Sequence, residues 1–191
     1  ATRGNVYNGP IELSQTTVLR AAAFKSGLVA TNIDTQTYIF LNDVIRQSPG
    51  GQVPRGWPSG SVNGQQLNYG MDPDIVGGRH SEALVIEALE AIPSISMVTP
   101  LENLFNSQTG IYVNAGGSGR NWERPASFEL LNPDGSPGFQ VDGGVRIRGG
   151  FSRSGSNPKH AFRLFFRREY GEGKLRFPLF GDEGVDAFDN I

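Results

Sequence analysis

Residues 143–166, GGVRIRGGFSRSGSNPKHAFRLFF, decide how this chain is read: two strand-like runs flank a glycine- and serine-rich basic turn, and Lys159 opens the second run. Five glycines lie between Gly143 and Gly155. Glycine lacks a Cβ and reaches backbone conformations that other residues avoid, so successive N–H groups in such a turn can close around an anion. The Lys159 ammonium at the start of the next strand can then meet phosphate oxygens, with the hydroxyls of Ser152, Ser154 and Ser156 nearby. The pattern matches no strict phosphate-loop motif. From the residues alone two readings stay open, an anion cradle and an ordinary hairpin with a solvated loop.

Around this turn, residues 126–131, 139–148, 159–168 and 175–180 read as successive strands of an antiparallel meander, joined by Pro-Asp-Gly, glycine-serine and Gly-Glu-Gly turns. In the third, Phe162, Leu164 and Phe166 point one way and Arg163, Phe165 and Arg167 the other, which predicts one core face and one mixed face. Upstream, residues 81–92 predict a helix capped by Ser81, with Ala83, Leu84, Ile86, Ala88, Leu89 and Ile92 as a core-facing stripe and Pro93 as its stop. Residues 94–99 alternate as a strand, and 100–105 suit one helical turn with Pro100 at its first position. The fold class that follows is α+β, mostly antiparallel β, with one or two short helices.

Between residues 41 and 80, glycine, proline and serine crowd out aliphatics, so this stretch reads as an irregular linker pinned by Trp57, Tyr69 and Met71. Asp72 and Asp74 lack the further ligands of a calcium loop. Residues 114–124, NAGGSGRNWER, form a second glycine-rich loop without strand-to-helix context, a surface turn whose end Trp122 and Arg124 dock. At the N-terminal end, Asn8-Gly9-Pro10 and Lys25-Ser26-Gly27 give turns, with strands over 17–24 and 35–40.

Glycine, at 26 residues of 191, is well above the usual ~7% share, which favours turn-rich β structure. The net charge is −2, but residues 146–176 carry nine Lys or Arg against Glu169 and Glu172, a local +7. The remainder carries 8 basic and 17 acidic residues, −9. A basic segment in an acidic chain points away from general nucleic-acid binding and leaves two readings open, an anionic ligand on one face and alternate strand arginines that simply face water. There is no cysteine, which excludes disulfides, thiol catalysis and cysteine-ligated metals. No apolar run approaches the ~20 residues that span a bilayer.

Hydrolytic chemistry finds no support. The only histidines are His80, in a loop, and His160, which reads as a strand surface residue beside Lys159, so no serine-histidine pair can be built. Glu123, Glu129 and Asp142 sit on unrelated strands and loops and do not make a glycosidase carboxylate pair; Glu123 has no evident acidic partner. The acids Asp182, Glu183, Asp186 and Asp189 read as a solvated loop.

The text RPASFELLNPDG followed by FQVDGGVRIRGGFSRSGSNPKHAFRLFFRREYGEGKLRFPLFGDEG resembles the spore-coat protein H (CotH) family of atypical, secreted protein kinases over roughly the last hundred residues. The likeness centres on RIRGGFSRS and PKHAFRLFF. It implies ATP-dependent phosphoryl transfer to a protein substrate, with ATP and Mg or Mn as cofactors of the complete protein. By resemblance, Lys159 contacts the nucleotide phosphates, the turn of Gly149, Gly150, Ser152 and Ser154 covers them, and Arg148 supports them; an ion pair of Arg148 with an acid such as Glu129 is the other reading. The family's metal-binding and catalytic acids are expected downstream of Ile191, with no metal site here.

A second resemblance lies in VYNGPIELSQTTVLRAAAFKSGLVATNIDTQTYIF, which is similar to the back two thirds of the β-sandwich module at the C-termini of chitobiases and β-hexosaminidases. The organisation expected is a partial sandwich module over 1–40, a linker over 41–80 and the N-terminal part of a CotH-like kinase domain over 81–191. Together these imply a fragment, inactive alone, of an extracellular or cell-surface bacterial protein. The competing class is a non-enzymatic extracellular scaffold or a module contacting a surface glycan, for which Trp57, Tyr69 and Trp122 are the available aromatics. A kinase-like lobe places Lys159 beneath the 149–156 turn in a concave pocket; a scaffold leaves it exposed.

Overall fold

The computed structural model describes residues 4–191, so the first three residues of the expected N-terminal module lie outside the described part. The chain runs through β1 (Thr17–Ala21), β2 (Asp34–Tyr38), α1 (Leu41–Val44), β3 (Ser61–Val62), β4 (Gln65–Gln66), α2 (Glu82–Glu90), β5 (Ser94–Val98), α3 (Leu101–Phe105), β6 (Arg124–Leu131), β7 (Gln140–Arg148), β8 (Ala161–Phe165), β9 (Leu175–Arg176) and β10 (Ala187–Phe188). All named strand pairs are antiparallel, and the helices are short. The fold is α+β, mostly antiparallel β.

Its centre is a four-stranded sheet in the order β5-β6-β7-β8. One face carries Phe128, Val145, Ile147 and Leu164 and packs on Leu104, Ile111 and Ala115 from α3 and the loop after it. The alternation in β8 holds: Leu164 and Phe166 join that core, whereas Arg146 and Arg167 flank the Phe165 ring on the opposite face. Pro125 sits within β6 where β5 has already ended, so its missing N–H costs no ladder bond. Its carbonyl accepts from the Thr99 hydroxyl at 2.7 Å.

Three expectations need correction. The fourth strand of the sheet is β5, from upstream, and not residues 175–180; β9 pairs with β10 instead. The outer edge of β8 is filled by the last residues, with Leu164 N–H donating to Ile191 O at 2.8 Å and Phe166 N–H to Asp189 O at 2.9 Å, leaving no ladder for residues 175–180. Helix α2 forms as read, and Ser81 accepts from Leu84 N–H at 3.2 Å, but its apolar stripe does not enter the core: Leu84 is 47% and Ile92 60% exposed. The core face is already covered by α3 and the loop after it, so α2 lies at the periphery beside α1, joined by an Arg46–Glu82 ion pair at 2.5 Å. Pro100 caps α3 from outside its first turn.

The first strands form a two-stranded ribbon, β1-β2, attached to the sheet by side chains: Thr37 N–H donates to Glu129 Oε2 at 2.7 Å and Thr37 Oγ1 meets Ser96 Oγ at 2.7 Å. Residues 41–80 are mostly irregular, with Trp57 and Tyr69 edge-on at 5.1 Å and both packed near Phe105. Among the described residues no helix is long and apolar enough to cross a membrane.

Candidate functional site

The Arg153 side chain makes the most bonds within and around the 149–156 turn. Arg153 donates through Nε to Gly149 O at 2.6 Å, through Nη1 to Ala115 O and Gly117 O at 2.8 Å each, and through Nη2 to Ile147 O at 2.7 Å. A guanidinium has five donors in a fixed fork, so these four bonds set the turn against both β7 and the second glycine loop. Gly149 has φ +103°, and a Cβ there would meet Ser152 Oγ at 2.2 Å, so the bend requires glycine. Ser152 Oγ donates to Arg148 O at 2.9 Å, while Ser154 and Ser156 share a hydroxyl contact at 2.8 Å.

His160 is a correction to the surface reading: it is 8% exposed and bridges the turn to the β3-β4 hairpin. Its Nδ1 faces Ser152 O and its Nε2 meets Gln65 Oε1 at 2.8 Å. Gln65 is itself buried and donates to Gln66 O and Asn157 O at 3.0 and 2.9 Å. The Tyr112 ring packs tilted against the imidazole, centres 4.6 Å apart, and its hydroxyl donates to Pro158 O at 2.5 Å; burial raises its phenol pKa.

Beneath the turn a cleft of about 430 Å³ is lined by Asn63, Gln65, Asn114, Trp122, Arg153 and the Gly116–Gly117 backbone. Trp122 lies against Gly117, where a Cβ would come within 2.3 Å of the indole, and the Arg124 guanidinium sits 5.7 Å from the ring centre. The amides of the cleft bond mainly to protein: Asn114 Nδ2 to Gly110 O at 2.8 Å, and Asn63 Nδ2 to Ser107 O at 2.6 Å and Asn114 Oδ1 at 2.9 Å.

Arg148 and Lys159 flank the turn at one end of the sheet. Arg148 ends β7 opposite Ala161 and is exposed; it does not pair with Glu129, whose carboxylate is taken by Thr37. Lys159 is exposed, lies two residues before β8, and does not line the cleft; its N–H donates to Asn157 Oδ1 at 3.1 Å, which delays the strand start. Neither cation has an ion-pair partner among the described residues. Gly149, Gly150 and Ser154 are exposed, whereas the Ser152 hydroxyl is committed inside the turn. Among the described residues no three His, Asp or Glu side chains gather as a metal site.

The opposite face of the sheet holds an ionic cluster that local sequence reading missed. Glu123, with its side chain 1% exposed, accepts from Arg167 Nε at 2.8 Å and Nη2 at 3.2 Å, and its Oε2 lies 3.5 Å from Arg146 Nε. Gly144 makes the crossing possible, since a Cβ there would sit 2.6 Å from Glu123 Oε1. The Phe165 ring has Arg146 at 3.8 Å and Arg167 at 4.9 Å from its centre. Burial, then the charge of Glu123, pushes the neighbouring Tyr170 phenol up to about 12. The signal was the alternation of arginines in two adjacent strands, which called for an acid from a third.

Compared with family models, with curated proteins and with solved structures, the chain matches none.

Proposed function

We propose that this chain is the nucleotide-facing lobe of a CotH-like atypical protein kinase, in which Lys159 and Arg148 hold the phosphates of ATP at the mouth of the 149–156 turn. The observation that supports the reading is a pair of cations that, among the described residues, have no ion-pair partner and stand at the two ends of a turn fixed by Arg153. Phosphoryl transfer needs positioned positive charge more than covalent help from the protein, and a rigid turn between two neighbouring strands supplies that positioning. ATP with Mg or Mn would bring the transferable phosphoryl group; Lys159 would contribute a mobile point charge and Arg148 a planar fork.

The exposure of Lys159 outside the cleft favours a second reading, a non-catalytic extracellular module whose basic turn meets an anionic partner. One experiment separates them. Calorimetry of ATP with Mg or Mn on the natural full-length protein, beside its Lys159→Ala variant, should show saturable binding in the parent and at least about tenfold weaker binding in the variant, the range of a lost charge-assisted bond. A folded parent that binds no ATP, or a variant that binds as well as the parent, overturns the kinase reading.

A further inference from the structure

The outer face of β7 and β8 carries an arrangement that folding alone does not account for. Arg146 keeps 23% of its side chain exposed, and among the described residues its guanidinium donates no hydrogen bond to protein; its acidic contact is Glu123 at 3.5 Å, and its remaining N–H groups are open to solvent. Arg153 and Arg124, by contrast, each donate four. Directly opposite Arg146 in the β7-β8 register stands Arg163, which is exposed and has no ion-pair partner among the described residues. Like charges facing each other across a strand pair are destabilising. Arg167 follows two residues after the end of β8, lies with Arg146 over the Phe165 ring, and is 33% exposed. A single buried carboxylate serves both Arg146 and Arg167, and Asp142, on the same face, pairs with none of them.

The guanidinium planes are also held in place. Arg146 and Arg167 both lie over the Phe165 ring, and Glu123 anchors them from the side of β6. A stacked guanidinium keeps its N–H edge free for a planar or tetrahedral oxyanion, and its fork suits two oxygens at once.

We propose that Arg146 and Arg163, with Arg167 at the rim, form a binding site for a phosphate-type oxyanion on the outer face of β7 and β8. An anion bridging the two facing guanidiniums removes their repulsion and takes up the donors that Arg146 leaves open to solvent. The site adjoins Arg148, two positions along the same face of β7, but its cations are Arg146, Arg163 and Arg167, and it does not rest on the kinase reading.

Titration of the natural protein with inorganic pyrophosphate at low ionic strength, by calorimetry, tests this directly, with inorganic phosphate as the smaller probe. Arg163→Gln is expected to weaken pyrophosphate binding at least about tenfold, as loss of a bond to a charged group does, whereas Arg20→Gln on the β1-β2 ribbon leaves it unchanged. Arg163 is exposed, so the variant keeps its fold, checked by its circular dichroism and urea midpoint. No saturable binding by the folded parent, an equal loss in Arg20→Gln, or unchanged binding in Arg163→Gln overturns the proposal; tighter binding of pyrophosphate than of phosphate supports contact with both facing arginines.

Discussion

Glu123 reaches Arg167 by crossing over a strand that presents glycine at the crossing point, so one contact joins the carboxylate just before β6, the open space at Gly144 in β7, and the guanidinium just after β8. Tyr170 shares that environment, and its behaviour has a sign that can be worked out. Its phenol is raised from 10.0 to about 12, so the folded protein holds that proton more tightly than the unfolded chain. The stability this contributes is fully present below pH 10 and is lost as pH rises through about 12. Tyr170→Phe has no proton to lose. Urea midpoints followed between pH 10 and 12 should therefore fall less steeply in the variant than in the parent, and identical slopes would show that Tyr170 titrates normally. Tyr69 and Tyr112 are shifted the same way by burial in both proteins, so the difference isolates Tyr170.

Among the elements, the turn over 149–156 depends on Arg153 more than on its serines. A lysine in its place has one ammonium and cannot serve four carbonyls on separate segments. Arg153→Lys should speed exchange of the Ser154, Asn157 and Gly117 amides by roughly tenfold or more, the scale of one net hydrogen bond lost, while Val145 in the sheet keeps its protection. Uniform acceleration would show that the turn and the sheet open together. Much of this region was legible in the sequence. The strands at 94–98, 124–131 and 140–148 follow from alternation between Gly- and Pro-marked turns, and the two faces of β8 follow from its phenylalanines and arginines. What escaped was non-local. Nothing in residues 175–180 shows that the edge of β8 is already occupied by Asp189–Ile191, and nothing in the apolar spacing of α2 shows that another segment covers the core first. For the site the same holds: the turn and its glycines are local and were read, whereas Glu123 meets Arg167 44 positions away, Gln65 meets Asn157 and His160 92 and 95 positions away, and Arg153 reaches Ala115 and Gly117 38 and 36 positions away.

At the scale of the molecule, the N-terminal ribbon is joined to the sheet through polar side chains, with Glu129 as the acceptor for Thr37 N–H. Removing that acceptor should loosen the ribbon without unfolding the sheet. In Glu129→Ala, exchange of the Thr37 amide should accelerate while the Leu130 amide, bonded to Phe139 O at 2.8 Å, stays protected; loss of protection at both would mean that ribbon and sheet are one cooperative unit. The basic 146–176 segment and the acidic remainder are likewise arranged by the fold, since the β7-β8 pair that carries Arg148 and Arg163 is remote in sequence from most of the acids. The Arg153 clamp has a further consequence in time. Ribosomes release the chain from the N-terminus, so the carbonyls of Ala115 and Gly117 emerge 38 and 36 positions before the guanidinium that will bind them. The glycine loop must stay hydrated through most of the synthesis of β6 and β7, and it settles only when the hairpin behind it has left the exit tunnel.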